Sequence, residues 1–176
     1  MSKPLIFVFK DDGRVPNNPT LPALLYKAAI DLRGTSRPEA AIEKAFKANG
    51  WGHNMWRDGI FDYVHYHSMI HEALGIARGR AHVRLGGDAG EEVELAAGDV
   101  VVLPAGTGHH CLSASEDFHV VGAYPPEGTY NLCRGSNPAD RDKALVTIPQ
   151  VPLPKTDPVN GGSEPLPQLW RAAGGR

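Results

Sequence analysis

Apolar and polar side chains alternate over short runs through the middle of the chain, and glycine or proline separates one run from the next. A period of two places successive side chains on opposite faces of a β-strand. Short strands punctuated by glycine-rich turns such as 86–90 are typical of a jelly roll. The runs predict strands at about 61–67, 72–78, 80–86, 91–95, 99–104, 109–114 and 117–124.

The N-terminal part carries other patterns. Residues 4–9 are rich in β-forming side chains and predict a further strand, whereas residues 21–32 have helical spacing with Pro22 near the start. Residues 36–49 predict a helix that packs outside the barrel. Its Ser36 and a glutamate three positions later match a capping box, and an asparagine-glycine pair ends it.

The chain divides into three predicted regions. An N-terminal strand and helix occupy 1–54, a barrel core occupies 55–125, and a proline-rich extension occupies 126–176. Within the extension, residues 149–158 carry a proline at every second to fourth position, which predicts an extended conformation. The last apolar cluster surrounds Trp170.

Composition narrows the function classes. A length of 176 residues predicts one domain, and a net charge of −2 without a basic block argues against nucleic acid and anionic membranes as partners. No apolar run approaches the ~18 residues of a membrane-spanning helix, and the N-terminus lacks the features of a signal peptide. Cys111 and Cys133 do not form a disulfide framework, so we expect a cytoplasmic location.

Histidines and one glutamate surround the first predicted barrel strands. Tyr63, His65 and His67 share one strand face, because they are two residues apart. Glu72 opens the next strand, and an antiparallel return would bring it beside these histidines. His109 follows a later strand and a Pro-x-Gly turn. Neutral imidazoles with one carboxylate suit a divalent first-row transition metal.

The spacing of these residues resembles the two signature motifs of the cupin superfamily. Ser113 stands where the second motif often ends in asparagine, a residue that is not a ligand. The motifs occur once, which indicates a single cupin. H-x-H-x4-E-x6-G matches His65, His67, Glu72 and Gly79, and G-x5-P-x-G-x2-H matches Gly98, Pro104, Gly106 and His109.

Four short sequence segments show a narrower resemblance, to the bacterial YjlB-type single-domain cupins. They lie at 11–13, 17–19, 56–59 and 122–125. The resemblance implies an all-β cupin jelly-roll (double-stranded β-helix) barrel with one N-terminal-side helix and extended terminal arms. For residues 21–32 it favours a strand over the helix that the spacing suggests, so both interpretations stay open.

The resemblance also implies one divalent metal, held by His65, His67, Glu72 and His109. Iron or manganese is favoured, with nickel, zinc and cobalt as alternatives. Such a set leaves about two positions of an octahedral shell open to water or substrate. We therefore expect a small-molecule metalloenzyme of oxygenase or isomerase type.

The alternative is a non-catalytic, metal-dependent module that binds or senses a small molecule. The barrel lumen discriminates between the two. An open pocket of a few hundred Å³ beside the metal would favour catalysis. A lumen plugged by Phe118, Tyr124 or the C-terminal arm would favour binding alone.

Other polar residues near the motifs have weaker assignments. Tyr63, Cys111 and Ser113 are expected to face the lumen, with the Tyr63 hydroxyl either packed or acting on substrate and Cys111 packed as a small apolar group. His71 and His110 adjoin proposed ligands and therefore face the opposite side. Each is expected at the surface or just behind the ligands.

The other histidines and the tryptophans show no spacing that indicates a site. His53, His82 and His119 are isolated and are assigned to solvent. The three tryptophans lack stacking periodicity and are assigned to core or interface packing rather than to a ligand platform.

The terminal segments bear on assembly. Apolar residues at 5–9 and 151–153 lie outside the predicted barrel strands. They either wrap their own barrel or form a two-fold homodimer, in which the N-terminal strand joins a neighbouring sheet and the proline-rich arm seals the joint. We expect the homodimer.

Overall fold

The computed structural model describes residues 3–162 and 164–174, so residues 1–2, 163 and 175–176 of the predicted terminal regions lie outside it. None of the described helices combines the length and apolarity needed to cross a bilayer. The strands are β1 Leu5–Phe7, β2 Ala23–Tyr26, β3 His53–Asp58, β4 His65–Tyr66, β5 Glu72–Arg78, β6 Arg80–Leu85, β7 Glu91–Ala96, β8 Val100–Leu103, β9 His109–Ala114, β10 His119–Tyr124 and β11 Cys133–Arg134. The helices are α1 Pro38–Ala48, α2 Pro138–Thr147 and α3 Leu166–Ala172, with a 3-10 helix at Ile148–Gln150.

These strands form two antiparallel sheets. The large sheet has the order β1-β2-β8-β5-β10-β3, and the small sheet has the order β11-β4-β9-β6-β7. Alternate side chains of both sheets meet in a shared core that includes Leu74 and Val101 from the large sheet and Val83 and Leu95 from the small one. The predicted all-β jelly roll is confirmed.

The large sheet is buried on both faces. Its outer face packs against Ile42 and Phe46 of α1 and against Trp170 of α3. Gly75 in β5 permits this approach, because a Cβ there would lie 2.5 Å from Ile42 Cγ2 and 3.1 Å from Phe46 Cζ. Burial on both faces explains why β8 is a continuous apolar run rather than an alternating one.

The structure settles the open segment at 21–32 in favour of a strand. Residues Ala23–Tyr26 form β2, which pairs with β1 on one side and β8 on the other. The first predicted barrel strand, in contrast, is shorter than expected. Only His65–Tyr66 of 61–67 is extended in a sheet, while His53–Asp58 forms β3 where none was predicted.

Helix α1 forms as predicted, but its capping box does not. The N-cap is Arg37, without a side-chain cap, and Thr35 Oγ1 accepts a hydrogen bond from the Arg37 amide at 3.1 Å. The Glu39 carboxylate instead accepts from Arg78 Nε at 2.6 Å and lies 3.1 Å from His119 Nδ1. His119 is therefore paired with a carboxylate, and its assignment to solvent was wrong.

A bulge in β9 changes which side chains face the shared core. Cys111 lies opposite Val83 and packs against that core, as expected. The register then shifts by one residue, so that Ser113 pairs with His82 and is exposed. The expectation that Ser113 faces the lumen was wrong, because an extra residue reverses the alternation.

The C-terminal extension is not purely extended, since it contains α2, α3 and the 3-10 helix. Trp170 is fully buried, and its Nε1 donates to the Pro22 carbonyl at 2.9 Å. Tyr26 of β2 donates its hydroxyl to Asp157 at 2.5 Å. The arm therefore covers its own large sheet, and β1 is the edge strand of that same sheet.

Candidate metal centre

Three of the proposed ligands come from the small sheet. His65 opens β4 and pairs directly with His109, the first residue of β9. His67 follows β4 by one residue and shares the inward face with His65, while Tyr66 between them points outward into a separate buried cluster. The two-residue spacing thus directs two imidazoles to one point.

Glu72 reaches the same point from the large sheet. It opens β5, and its alternation with Leu74 and Ile76 places it on the face that looks into the shared core. The ring nitrogens of His65, His67 and His109 lie within 4.8 Å of one another. Glu72 Oε2 lies 3.3 Å from His67 Nε2 and 3.4 Å from His109 Nε2.

Backbone carbonyls fix the orientation of all three imidazoles. Nδ1 of His65 lies 3.1 Å from the Tyr63 carbonyl, and Nδ1 of His109 lies 3.1 Å from the Thr107 carbonyl. Nδ1 of His67 lies 2.5 Å from the Asn131 carbonyl. A carbonyl can only accept, so each Nδ1 carries the proton. Each neutral ring then turns the lone pair of Nε2 inward, as a metal ligand requires.

The Glu72 carboxylate is supported on one oxygen only. Its Oε1 accepts from the Tyr124 hydroxyl at 2.8 Å, and that hydroxyl accepts from Trp56 Nε1 at 2.9 Å. Oε2 is buried and finds no hydrogen-bond donor among the described residues. A buried carboxylate oxygen facing imidazole lone pairs is costly unless a cation lies between them. These residues therefore fit a divalent metal.

Burial and neighbouring charges separate the pKa values of these groups. Burial lowers the pKa of His65 to about 3, which keeps it neutral. Burial opposes the charged form of His67, but the Glu72 carboxylate and the Asn131 carbonyl outweigh it and raise the pKa of His67. Burial likewise opposes ionisation of Glu72, but His67 and His109 hold its pKa well below the ordinary value.

An open cavity of about 410 Å³ reaches the four proposed ligands. Tyr124 forms part of its wall, and Phe118 packs in the shared core, so neither side chain plugs it. Gly122 leaves room for the Trp56 indole, because a Cβ there would lie 1.9 Å from Trp56 Cε2. The lining residues are Asn54, Trp56, Arg57, Asp58, Gly59, Ile60, Phe61, His65, His67, Glu72, Leu74, His109, Tyr124 and Tyr130.

Sequence reasoning missed two neighbours of His67. The Tyr130 ring lies 5.2 Å from the His67 ring and lines the cavity. Asn131, besides accepting from His67, accepts from the Ser68 and Met69 amides at 3.0 and 3.1 Å through Oδ1. Both residues lie beyond the last predicted strand, where no periodic pattern points to them.

A pair of buried asparagines shapes the turn before His109. Asn17 Oδ1 accepts from the Gly108 amide at 3.1 Å, and Asn18 Nδ2 donates to the Ala105 carbonyl at 2.9 Å. The sequence segment 17–19 thus stabilises the turn that precedes His109. In the sequence, the only signal for this segment was its resemblance to the YjlB-type cupins.

Tyr63 and Cys111 lie outside the cavity wall. Tyr63 stacks on Phe61, with ring centroids 4.9 Å apart, and Arg134 Cζ lies 4.5 Å from its ring centroid. Cys111 is half-buried, and burial raises the pKa of its thiol. Trp56 lines the cavity, contrary to its assignment to packing alone, whereas Trp170 is fully buried in the core outside the barrel.

The two histidines that adjoin the ligands face away from them, as expected. His71 is not at the surface but fully buried, 4.7 Å from the Trp170 ring, and its Nδ1 accepts from the Ala105 amide at 2.9 Å. Burial lowers the pKa of His71 to about 3. His110 is also largely buried, opposite Arg84 in the small sheet.

The chain matches one protein family and one curated relative. Residues 58–122 match the cupin domain family. The chain is 40% identical over 164 residues to the uncharacterized protein YjlB of Bacillus subtilis, which covers 93% of this chain and 94% of that protein.

Solved structures share the fold at low identity. An uncharacterized double-stranded β-helix protein from Klebsiella pneumoniae is 14% identical, covers 77% of this chain and 81% of its own, and has a TM-score of 0.38. Oxalate decarboxylase of Bacillus subtilis is 15% identical, with 65% and 28% coverage and a TM-score of 0.38. Procruciferin of Brassica napus is 17% identical, with 46% and 21% coverage and a TM-score of 0.37. These likenesses concern the fold alone.

The support of Glu72 by Tyr124 can be tested with Tyr124→Phe. Loss of the hydroxyl frees Oε1 and leaves Trp56 Nε1 without its acceptor, so metal affinity should fall by about 10- to 100-fold. Competition with a chelator of known affinity measures the change.

Tyr26→Phe is the matched control, because Tyr26 also donates a buried hydroxyl to a carboxylate, that of Asp157, away from the cavity. It should lower stability without weakening the metal. Equal metal affinity in Tyr124→Phe and the parent protein would contradict the supporting role.

Metal affinity should also depend on pH. Bound imidazoles must be neutral, and because the pKa of His67 is raised above the ordinary value of ~6.5, a proton already competes there at pH values above ~6.5. His65, with a pKa of about 3, adds no competing proton in this range. The logarithm of the affinity should fall by about one for each pH unit below that point. A chelator titration that gives one affinity from pH 8 to pH 5 would argue against these ligands.

Proposed function

Because this chain belongs to the cupin superfamily and, within it, to the family of Bacillus subtilis YjlB, we propose that it is a small-molecule metalloenzyme of oxygenase or isomerase type. The proposed metal ligands are His65, His67, Glu72 and His109. One observation carries the proposal. Three inward lone pairs and an unpartnered carboxylate oxygen converge at the wall of an open cavity.

The donor set suits several first-row metals. Three imidazoles and one carboxylate favour iron or manganese for oxygenation, with nickel, zinc and cobalt as alternatives. A bound ion would polarise a substrate oxygen and, if redox-active, exchange electrons with it. Four protein ligands leave about two positions of an octahedral shell for substrate and water.

The chain's own residues would hold this site in a fixed geometry. Burial and the Glu72 charge raise the pKa of Tyr124, so its hydroxyl stays protonated and remains a donor to that carboxylate. The Asn131 carbonyl keeps the His67 ring in the ligating orientation. Trp56 and Leu74 in the cavity wall exclude water from one side of the site.

The open cavity favours catalysis over binding alone. The space of about 410 Å³ is in contact with all four proposed ligands, so it leaves room for a substrate at the metal, as a reaction there would require. The α3 helix, which could have filled the lumen, packs on the outer face of the large sheet instead. A substrate can therefore approach the ligands from the mouth of the cavity.

We also place the protein in a reducing, cytoplasmic setting. Cys111 and Cys133 are both free, and Cys133 is buried beside Ser68 and Asn131. Burial raises the pKa of the Cys133 thiol, which makes it unreactive. Neither thiol forms a disulfide, as is usual in that compartment.

A homodimer through β1 forms the last part of the proposal. The strand is an edge of the large sheet, and Leu5, Ile6 and Val8 at or just after it are each at least half exposed. An apolar edge strand is a template for pairing with a second copy. Two-fold pairing of β1 with its equivalent would satisfy the open main-chain groups of this edge. The C-terminal arm packs on its own sheet and is not required for this contact.

The metal site can be tested by elemental analysis of protein purified without a nickel column. We expect about one transition metal per chain, since the described residues contain one cluster of three histidines that could hold an ion. The double variant Glu72→Gln, His109→Ala should lose it. A dioxygen-uptake screen on the loaded protein then tests for oxygenase activity.

The double variant Glu94→Gln, His82→Ala is the control. It removes an exposed carboxylate and imidazole that lie 3.0 Å apart on the small sheet and line a different cavity from that of the proposed ligands. It should keep its metal. Full metal content in the Glu72, His109 variant would overturn the ligand assignment.

The dimer can be tested by light scattering at tens of micromolar protein. The parent chain should give twice its 18.9 kDa mass. Ile6→Lys places a charge on the exposed edge and should yield monomer, while Val146→Lys, an equally exposed change on α2, should not. A monomeric parent protein would contradict the dimer and leave the metal proposal intact.

A further inference from the structure

The cavity walls beyond the proposed metal ligands are largely apolar. Leu74 is fully buried, and Ile60 and Trp56 pack against the shared core. Phe61 and Tyr130 complete the wall toward the mouth. Such a surface binds hydrocarbon more favourably than it binds charged groups.

Positive charge is absent from this interior. Arg57 is the sole arginine or lysine among the described residues that line the cavity. Its neighbour Trp56 faces the shared core, so Arg57 faces the other side of β3, where its Nε donates to Glu43 of α1 at 2.6 Å. A ligand carboxylate inside the cavity would find no arginine or lysine beside it.

The Tyr124 hydroxyl and the Trp56 indole, which both line the cavity wall, already donate their hydrogens to other groups of the protein. Trp56 Nε1 donates to the Tyr124 hydroxyl, and that hydroxyl donates to Glu72. Neither hydrogen is free for an incoming anion. An anionic group placed against Trp56 and Tyr124 would lose its water without gaining a donor from either residue, which is costly.

The mouth presents two aromatic rings to an incoming molecule. Phe61 is 45% exposed and Tyr130 is 48% exposed, although both line the cavity. The Phe61 ring lies 5.0 Å from the His65 ring, and the Tyr130 ring lies 5.2 Å from the His67 ring. A ring attached to a metal-bound group is therefore within stacking reach of both.

Resting on the proposed metal site, we propose that its ligand is a small ring compound with two adjacent oxygen donors at one end and no anionic group on the remainder. The two oxygens match in number the open positions of an octahedral metal shell, of which there would be about two. The ring matches the walls formed by Trp56, Leu74 and the two mouth aromatics. A second anionic group has no counter-charge in the cavity.

Three hydroxamates test this ligand class, because they bind metal through the same two oxygens and differ in the rest. They are acetohydroxamate, benzohydroxamate and 4-carboxybenzohydroxamate. Zinc-loaded protein avoids redox turnover, and calorimetry gives each affinity. Benzohydroxamate should bind at least about tenfold more tightly than either of the others, since only it offers an uncharged ring.

Two variants test where the selectivity arises. Phe61→Arg places a cation at the mouth and should make 4-carboxybenzohydroxamate bind at least as tightly as benzohydroxamate. Leu145→Arg adds the same charge at a similarly exposed position on α2, outside the cavity wall, and should leave the order unchanged. Zinc content is measured for every sample.

The outcomes separate the two proposals. A parent protein that retains no zinc contradicts the metal site and with it this inference. A zinc-loaded parent that binds the three hydroxamates equally, or prefers the acetyl or carboxyl compound, contradicts the ligand class alone. An unchanged preference in Phe61→Arg assigns the selectivity to some feature other than the lack of an unpaired cation in the wall and overturns the argument from charge.

Discussion

The negative charge of the buried Glu72 carboxylate must be compensated, and the arrangement of the site depends on this constraint. One carboxylate oxygen is buried without a donor and faces imidazole nitrogens that, in their neutral form, also offer only lone pairs. Such a cluster is stable only when a cation joins its members or a proton relieves it. The two sheets meet so that His65 and His109 come from one and Glu72 from the other. The two sheets therefore face each other at this point.

Distant parts of the chain stabilise that arrangement. Asn17 accepts a hydrogen bond in the turn before His109, and the Asn131 carbonyl lies against the His67 ring. Trp56 donates to the Tyr124 hydroxyl that supports Glu72. The large sheet, covered outside by α1 and α3, gives β5 a rigid setting. Ligand geometry is therefore a property of the whole fold, even though the four proposed ligands lie within a short stretch.

The sequence predicts the ligand cluster and the barrel because both depend on local spacing. The two-residue period places His65 and His67 on one face, and glycine marks the turns. Contacts between residues far apart in the sequence could not be predicted in this way. Nothing near Asn131 shows that its carbonyl meets His67, and tertiary pairing made Glu39 a partner of Arg78 instead of a cap. A one-residue bulge turned Ser113 outward, which no alternation pattern reveals.

The three imidazoles are oriented by main-chain oxygens, those of Tyr63, Thr107 and Asn131. Every amino acid carries such an oxygen, so replacing these side chains leaves the acceptor in place as long as the chain path holds. Ring orientation is thus encoded in backbone geometry rather than in residue identity. In a chain that keeps this backbone path, substitutions in the cavity wall can change which molecule fits, while the three imidazoles keep their orientation.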